Sequence, residues 1–140
     1  AIVNITSPMG DRVSSVLTAY SASKAAAQAL TKSVALYCAE QKTGIRCNAV
    51  RPGLVPTDMA MPLTDDTSIV DDYMDQMPIK RLGNVDDIAG GVRYLAGPES
   101  TWVTGQCFAI DGGHTLRRGP RIDSMMVRFF GEDSIKGMRG

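Results

Sequence analysis

The sequence predicts an α/β fold built on a parallel sheet, and three observations carry that prediction. Two short, β-rich apolar runs, Ala1 to Thr6 and Ile45 to Val50, flank a long helix-forming stretch from about Ala19 to Ala39. A helix between two strands is a βαβ unit, whose crossover is expected to be right-handed. A further helix-forming stretch, Val85 to about Ala96, precedes a third apolar run, Gln106 to Ile110, so strand and helix continue to alternate.

Each element has its own local reason. The run at Ala1 to Thr6 reads as a strand buried on both faces, the usual state in a parallel sheet, although such a strand seldom begins a chain. Ser7 to Thr18 is small and polar and reads as a loop. The stretch from Ala19 to Ala39 is rich in Ala, Leu, Lys and Gln and has no Gly or Pro, which makes a strong helix. Lys42 and Gly44 supply its stop chemistry. Ala22, Ala25, Ala26 and Ala29 are small enough to let it pack closely on a sheet or another helix. Pro52 and Gly53 end the second strand.

Residues 54 to 85 are less regular. Asp65, Asp66, Asp71, Asp72 and Asp75 alternate with Met59, Met61, Met74 and Met77, which suggests a short amphipathic segment with a solvated acidic face. A metal site there would need a fixed coordination geometry that the sequence does not supply. Asp86 and Asp87 suit the positive N-terminal end of the following helix. The third strand is stopped by Asp111, Gly112 and Gly113.

The chain has 140 residues, 44% hydrophobic and 21% charged, with fifteen Lys plus Arg against fifteen Asp plus Glu. That suits one globular domain and argues against a broadly basic nucleic-acid binder or an acidic disordered chain. No stretch approaches the roughly 20 apolar residues that span a bilayer, and no secretory signal is visible. Cys38, Cys47 and Cys107 are far apart in sequence and lie among apolar residues, as reduced buried thiols of a cytosolic protein would. His114 is the single histidine, so zinc ligation is set aside. Beyond Gly113 the balance changes. Residues 114–140 carry six basic against three acidic side chains, whereas residues 1–113 carry nine against twelve.

The chemistry lies in Ser7, Tyr20 and Lys24. Ser7 follows a predicted parallel strand, where α/β sheets place their ligands. Tyr20 and Lys24 are four apart and therefore share one face of the helix. An ammonium about 4 Å from a phenol would favour the phenolate by on the order of 4 kcal/mol at an effective dielectric near 20, which suits proton transfer near neutral pH. A nearby serine hydroxyl could hold an alcohol or carbonyl oxygen. Taken singly, each residue has a plainer reading: a half-buried helix tyrosine, a snorkelling lysine and a turn or helix-entry serine.

Their flanks decide between these readings. Ile2-Val3-Asn4-Ile5-Thr6-Ser7, then Ala19-Tyr20-Ser21-Ala22-Ser23-Lys24, with thirteen residues from Ser7 to Tyr20, resembles the catalytic strand and helix of the short-chain dehydrogenase/reductase family. The segments Gly44 to Thr57, Pro78 to Ile88, and Thr104 through Gly113 are similar to that family's later signatures, in order. The resemblance covers about residues 1 to 116. It implies the C-terminal half of a doubly wound, Rossmann-like parallel sheet over residues 1–113, without the N-terminal phosphate-binding half. A mobile substrate lid is expected at about 58–77, and 114–140 is a C-terminal extension packing on its own or a neighbouring subunit.

The resemblance also implies roles. Tyr20 is the expected general acid/base, Lys24 its charge partner and a ligand of the nicotinamide ribose, and Ser7 the residue that orients substrate oxygen. Pro52, Gly53, Val55 and Thr57 are expected to lie against the nicotinamide of NAD or NADP; the plainer reading of Pro52 and Gly53 is a strand-ending turn. Asp111, Gly112 and Gly113 are expected to close the last strand and help subunits pack. The family's glycine-rich phosphate loop and its catalytic asparagine have no counterpart here, and neither Asn4 nor Asn48 takes the latter role.

The leading expectation is an NAD(P)-dependent oxidoreductase interconverting a secondary alcohol and a ketone on an apolar small-molecule substrate, as a homodimer or homotetramer in the cytoplasm. The methionines of 58–77 would serve either as an adaptable apolar substrate surface or as core filler. The rival is a truncated, non-catalytic homologue acting as an assembly module, with an open sheet edge where earlier strands should sit. A nucleic-acid arm formed by Arg117, Arg118, Arg121 and Arg128 lacks a stacking platform beyond Phe129 and Phe130 and is the weakest reading.

Overall fold

Strand alternation decides the layers. The computed structural model describes residues 1–13 and 17–116, together with Val127, Gly131 and Asp133. The arginines and phenylalanines of the suggested nucleic-acid arm lie outside the described residues. Three parallel strands, β1 (Ile2–Ile5), β2 (Cys47–Pro52) and β3 (Cys107–Ile110), lie in the order β1-β2-β3. Ile2 pairs with Cys47 and Ile5 with Val50, while Ala49 pairs with Cys107 and Pro52 with Ile110. Asn4 points to helix α1 (Thr18–Glu40), where its Nδ2 donates to Thr31 Oγ1 at 2.9 Å. Its register-mate Ala49, and Cys47 two residues before it on β2, therefore share that face. Val50 faces the other way, toward helix α4 (Val85–Ala96), because a Cβ on Gly91 would lie 4.0 Å from Val50 Cγ2 and 2.1 Å from Ile110 Cδ1. The sheet is thus sandwiched between α1 and α4.

The central strand β2 carries the core. Cys47, Asn48, Ala49 and Val50 are all fully buried. β1 does not meet the expectation of burial on both faces, since Ile2 is 40% and Ile5 50% exposed. It pairs with β2 alone and so forms an edge of the described sheet. The second strand also starts two residues later than Ile45, which stays exposed.

Helix α1 matches its expected span but not its expected face. Ser21, Gln28, Thr31, Ala35 and Cys38 are buried, whereas Ala22, Ala25, Ala26 and Ala29 face outward. Alanine marks a good helix without marking its core side. Beyond α1 the chain turns through Lys42 at φ +52° and Gly44 at φ +73°, the left-handed region that ends helices.

The segment between β2 and α4 contains two helices, α2 (Met61–Thr64) and α3 (Thr67–Gln76). Asp66 caps α3, accepting from Ser68 N at 2.9 Å and Ser68 Oγ at 2.6 Å. Lys80 Nζ closes its other end on Met74 O at 2.7 Å, as a cation should at a helix C-terminus. The acidic residues are thus partly committed to local structure. The methionines divide: Met77 is 2% exposed and belongs to the core, while Met59 is 87% exposed.

Asn84 and Asp87 form a reciprocal capping box at the start of α4, which satisfies two otherwise orphan N–H groups. Arg81 grips the Asp87 carboxylate at 2.7 and 2.9 Å. This grip and the N–H of Asn84 hold the Asp87 carboxyl down to about 2. A carboxyl lowered in the fold adds stability above its ordinary range and loses it as pH falls through the folded value. Asp87→Asn should therefore lower the melting temperature at pH 7. The gap from wild type should close between about pH 4 and pH 2, as followed by circular dichroism melts.

Candidate active site

The C-terminal end of β1 delivers Ser7 into a single 3-10 turn, Pro8–Gly10. Ser7 is buried, and its Oγ accepts the N–H of Met9 at 3.1 Å. That is the turn-entry role of the plainer reading, yet it uses only one lone pair and leaves the O–H free to donate. The turn rests directly on α1: a Cβ on Gly10 would meet Ala25 N at 2.9 Å and the backbone carbon of Lys24 at 3.0 Å. Only a residue without a side chain allows that approach. Buried Gln28 fastens the contact by donating Nε2 to Ser7 O at 2.9 Å.

Lys24 and Tyr20 project from the same first turns of α1. Lys24 Nζ donates to Ile5 O at 3.2 Å and stands 5.5 Å from the centroid of the Tyr20 ring. The ammonium therefore faces the ring as a cation–π partner. Two of its three N–H groups remain for other acceptors. Tyr20 is 38% exposed, and among the described residues its hydroxyl has no hydrogen-bond partner. Lys24 and Ser7 thus both meet the end of β1, with Tyr20 beside Lys24.

Pro52, Gly53, Val55 and Thr57 sit at the neighbouring strand end. The end of β2 that leads into them is next to the Ser7 region because Thr6 N and Thr6 Oγ1 both donate to Val50 O, at 2.8 and 3.1 Å. Among the described residues, no hydrogen bond or ion pair joins these four to Ser7, Tyr20 or Lys24. Gly53 has a structural duty that fits its plainer reading. Its N–H donates to Ile110 O at 2.9 Å, and a Cβ there would lie 2.7 Å from Asp111 Cα. Thr57 is exposed and Val55 half-buried. Behind Gly53, rather than beside Tyr20, lies a cavity of about 170 Å³ bounded by Leu54, Met77, Arg81 and Asp111.

Asp111 closes β3 by accepting the N–H groups of Gly113 and Thr115, each at 2.9 Å. Burial alone would push its carboxyl upward; these hydrogen bonds, with the charge of His114, outweigh burial and hold it below the ordinary range. Three contributors escaped the sequence reading. Gln28 and Gly10 position the turn after β1, and Tyr73 on α3 packs its ring against that of His114, with centroids 4.8 Å apart. A glycine just after a strand and a polar residue on a helix's core side were the available signals for the first two; Tyr73 had none.

The donor set fits the nicotinamide end of a dinucleotide: spare ammonium N–H groups for ribose hydroxyls, and a phenol and a serine hydroxyl for a substrate oxygen. No G-x-G-x-x-G stretch for a pyrophosphate occurs in the sequence. Among the described residues, no helix is long and apolar enough to cross a membrane, and no group of three or more His, Cys, Asp or Glu is arranged to hold a metal.

A family model described as enoyl-(acyl carrier protein) reductase matches residues 1–115. An NADP-dependent (R)-specific alcohol dehydrogenase of Lentilactobacillus kefiri is 39% identical over 120 residues, covering 84% of this chain and 46% of that protein. A short-chain type dehydrogenase/reductase from Mycobacterium ulcerans superimposes with a TM-score of 0.78 at 32% identity, over 96% of this chain and 48% of that one. A 4-hydroxyisoleucine dehydrogenase complexed with NADH gives a TM-score of 0.78 at 31% identity, over 84% and 47% respectively. The chain therefore spans about half the length of the relatives it matches. The approach of Gly53 to Asp111 gives a direct test of the geometry. Gly53→Ala should cost about 1–3 kcal/mol of stability, the usual penalty of overpacking, read from the urea midpoint at unchanged m-value.

Proposed function

The chain belongs to the short-chain dehydrogenase/reductase family, and from that premise we propose that it carries the proton-transfer half of an NAD(P)-dependent interconversion of a secondary alcohol and a ketone. The observation that carries the reading is the Lys24 bond to Ile5 O. It ties the helix bearing Tyr20 to the strand end that presents Ser7, so that all three candidate residues gather at one end of the sheet.

Each residue has a task in this reading. The cofactor, when bound, supplies or accepts the hydride at the substrate carbon. Ser7 donates its free O–H to the substrate oxygen and orients it. Tyr20 gives a proton to that oxygen during reduction, or takes one during oxidation, through its unpartnered hydroxyl. Lys24 holds its ammonium over the Tyr20 ring and offers its two remaining N–H groups to the ribose hydroxyls. Pro52, Gly53, Val55 and Thr57 form the wall against the nicotinamide. Helices α2 and α3 cover the substrate, with exposed Met59 and Met61 offering an adaptable apolar surface.

A second reading, an assembly module without catalysis, is favoured by the outward face of α1. Leu30, Leu36 and Tyr37 are exposed there, and β1 lies at the sheet edge. The same face would serve a catalytic homodimer or homotetramer. Calorimetry with NAD and NADP separates the readings. Micromolar binding supports the catalytic one; absence of binding at millimolar cofactor favours the assembly module. Tyr20→Phe should abolish turnover on a panel of secondary alcohols, by about 100-fold or more, with cofactor affinity unchanged. Lys24→Ala should weaken both. Appreciable turnover in Tyr20→Phe would overturn the proton-transfer role.

A further inference from the structure

Helix α3 is well formed but weakly seated. Both its ends are capped, by Asp66 and by Lys80, yet none of its residues is fully buried. Past its C-terminus the chain is fixed to the body, with Met77 in the core and Ile79 N donating to Gly112 O at 3.0 Å. Toward its middle, the specific contact with the post-β3 segment is the Tyr73 ring against that of His114, with centroids 4.8 Å apart and planes tilted by 40°.

His114 is itself firmly placed. Its N–H donates to Asp111 O at 3.1 Å, and its carbonyl accepts Arg12 Nη1 at 3.1 Å. Arg12 Nη2 donates in addition to Thr115 O. Arg12 follows the turn that presents Ser7, so three segments meet here: the loop after β1, helix α3 and the turn after β3. Tyr73 also lies within electrostatic reach of Tyr20.

We propose that His114 is a positioning residue for the candidate site: its ring seats α3 on the turn after β3 by way of Tyr73, and releases the helix on taking up a proton. The charged groups around the imidazole come from three elements. Burial disfavours the imidazolium most strongly. Asp111 at the end of β3 and Asp72 on α3 favour it, while Arg12 opposes it; Tyr73 is neutral. The balance holds His114 below its ordinary value of 6.5. A histidine that prefers to be neutral when docked stabilises docking above its undocked value, and that contribution fades as pH falls below about 6.5. Released from its seat, a helix of ten residues is marginal in water, so undocking opens its amides to exchange.

The importance of this seat for turnover rests on the proposed function. The seat itself is tested without cofactor or substrate, so either reading can fail alone. Hydrogen exchange of residues 67–77 in the 140-residue chain, corrected for intrinsic rates, should be about tenfold faster at pH 5 than at pH 8, with β2 protected at both. His114→Phe keeps a ring and removes the titration, so its α3 protection should be independent of pH. His114→Ala and Tyr73→Ala should exchange quickly at both. A pH response that survives in His114→Phe, wild-type protection in His114→Ala, or loss of β2 protection together with α3 would each overturn the proposal.

Discussion

The hydrogen bond from Gln28 to the Ser7 carbonyl is the constraint on which the site end of the molecule depends. A carbonyl just past the end of a strand has lost its sheet partner, and leaving it buried and unpaired would cost about 1–3 kcal/mol. Gln28 supplies the missing donor from inside the helix, at 2.9 Å. One turn earlier, Lys24 does the same for Ile5 O. The helix is therefore set against the end of the strand at two carbonyls two residues apart, with Gly10 making room for the backbone to approach. Tyr20 and Ser7 inherit their positions from that docking.

The same end of the sheet shows how a buried central strand organises its neighbours. β2 is covered on both faces, and its exit at Gly53 is bonded to Ile110 O and passes close against Asp111. Asp111 in turn folds the following turn around its carboxylate. Ser7 and the exit of β2 therefore lie at the same end of the sheet, whereas α3 has no fully buried residue.

Much of this was legible from the residues, for definable reasons. The Ala- and Leu-rich composition of α1, the acids Asp86 and Asp87 at the start of α4 and the apolar runs are local signals, and these give the order of the strands and the two long helices. The core face of α1 was not legible, because near its start that face is polar. Gln28 and Thr31 turn inward to serve the Ser7 carbonyl and Asn4, buried Ser21 lies on the same face without a hydrogen-bond partner for its hydroxyl among the described residues, and alanines turn outward. A reading based on hydrophobic periodicity selects the opposite side. The β1 run was apolar enough for a central strand, but burial depends on which partners lie beside it. The seat of α3 was invisible for another reason: Tyr73 and His114 are 41 residues apart and meet only through the fold.

Arg46, at the foot of β2, has a consequence for what this chain can tolerate. Its guanidinium takes the carbonyls of Leu95, Gly97 and Val103 at 2.9, 3.1 and 3.3 Å, and Asn48 takes Val103 O and the N–H of Gln106. Surface connections generally accept inserted residues. This one is stitched to the central strand from both of its banks, so extra length between α4 and β3 would have to tear out five bonds at once. Variation among natural or engineered versions should accordingly collect elsewhere, leaving this hairpin-like strap almost constant in length.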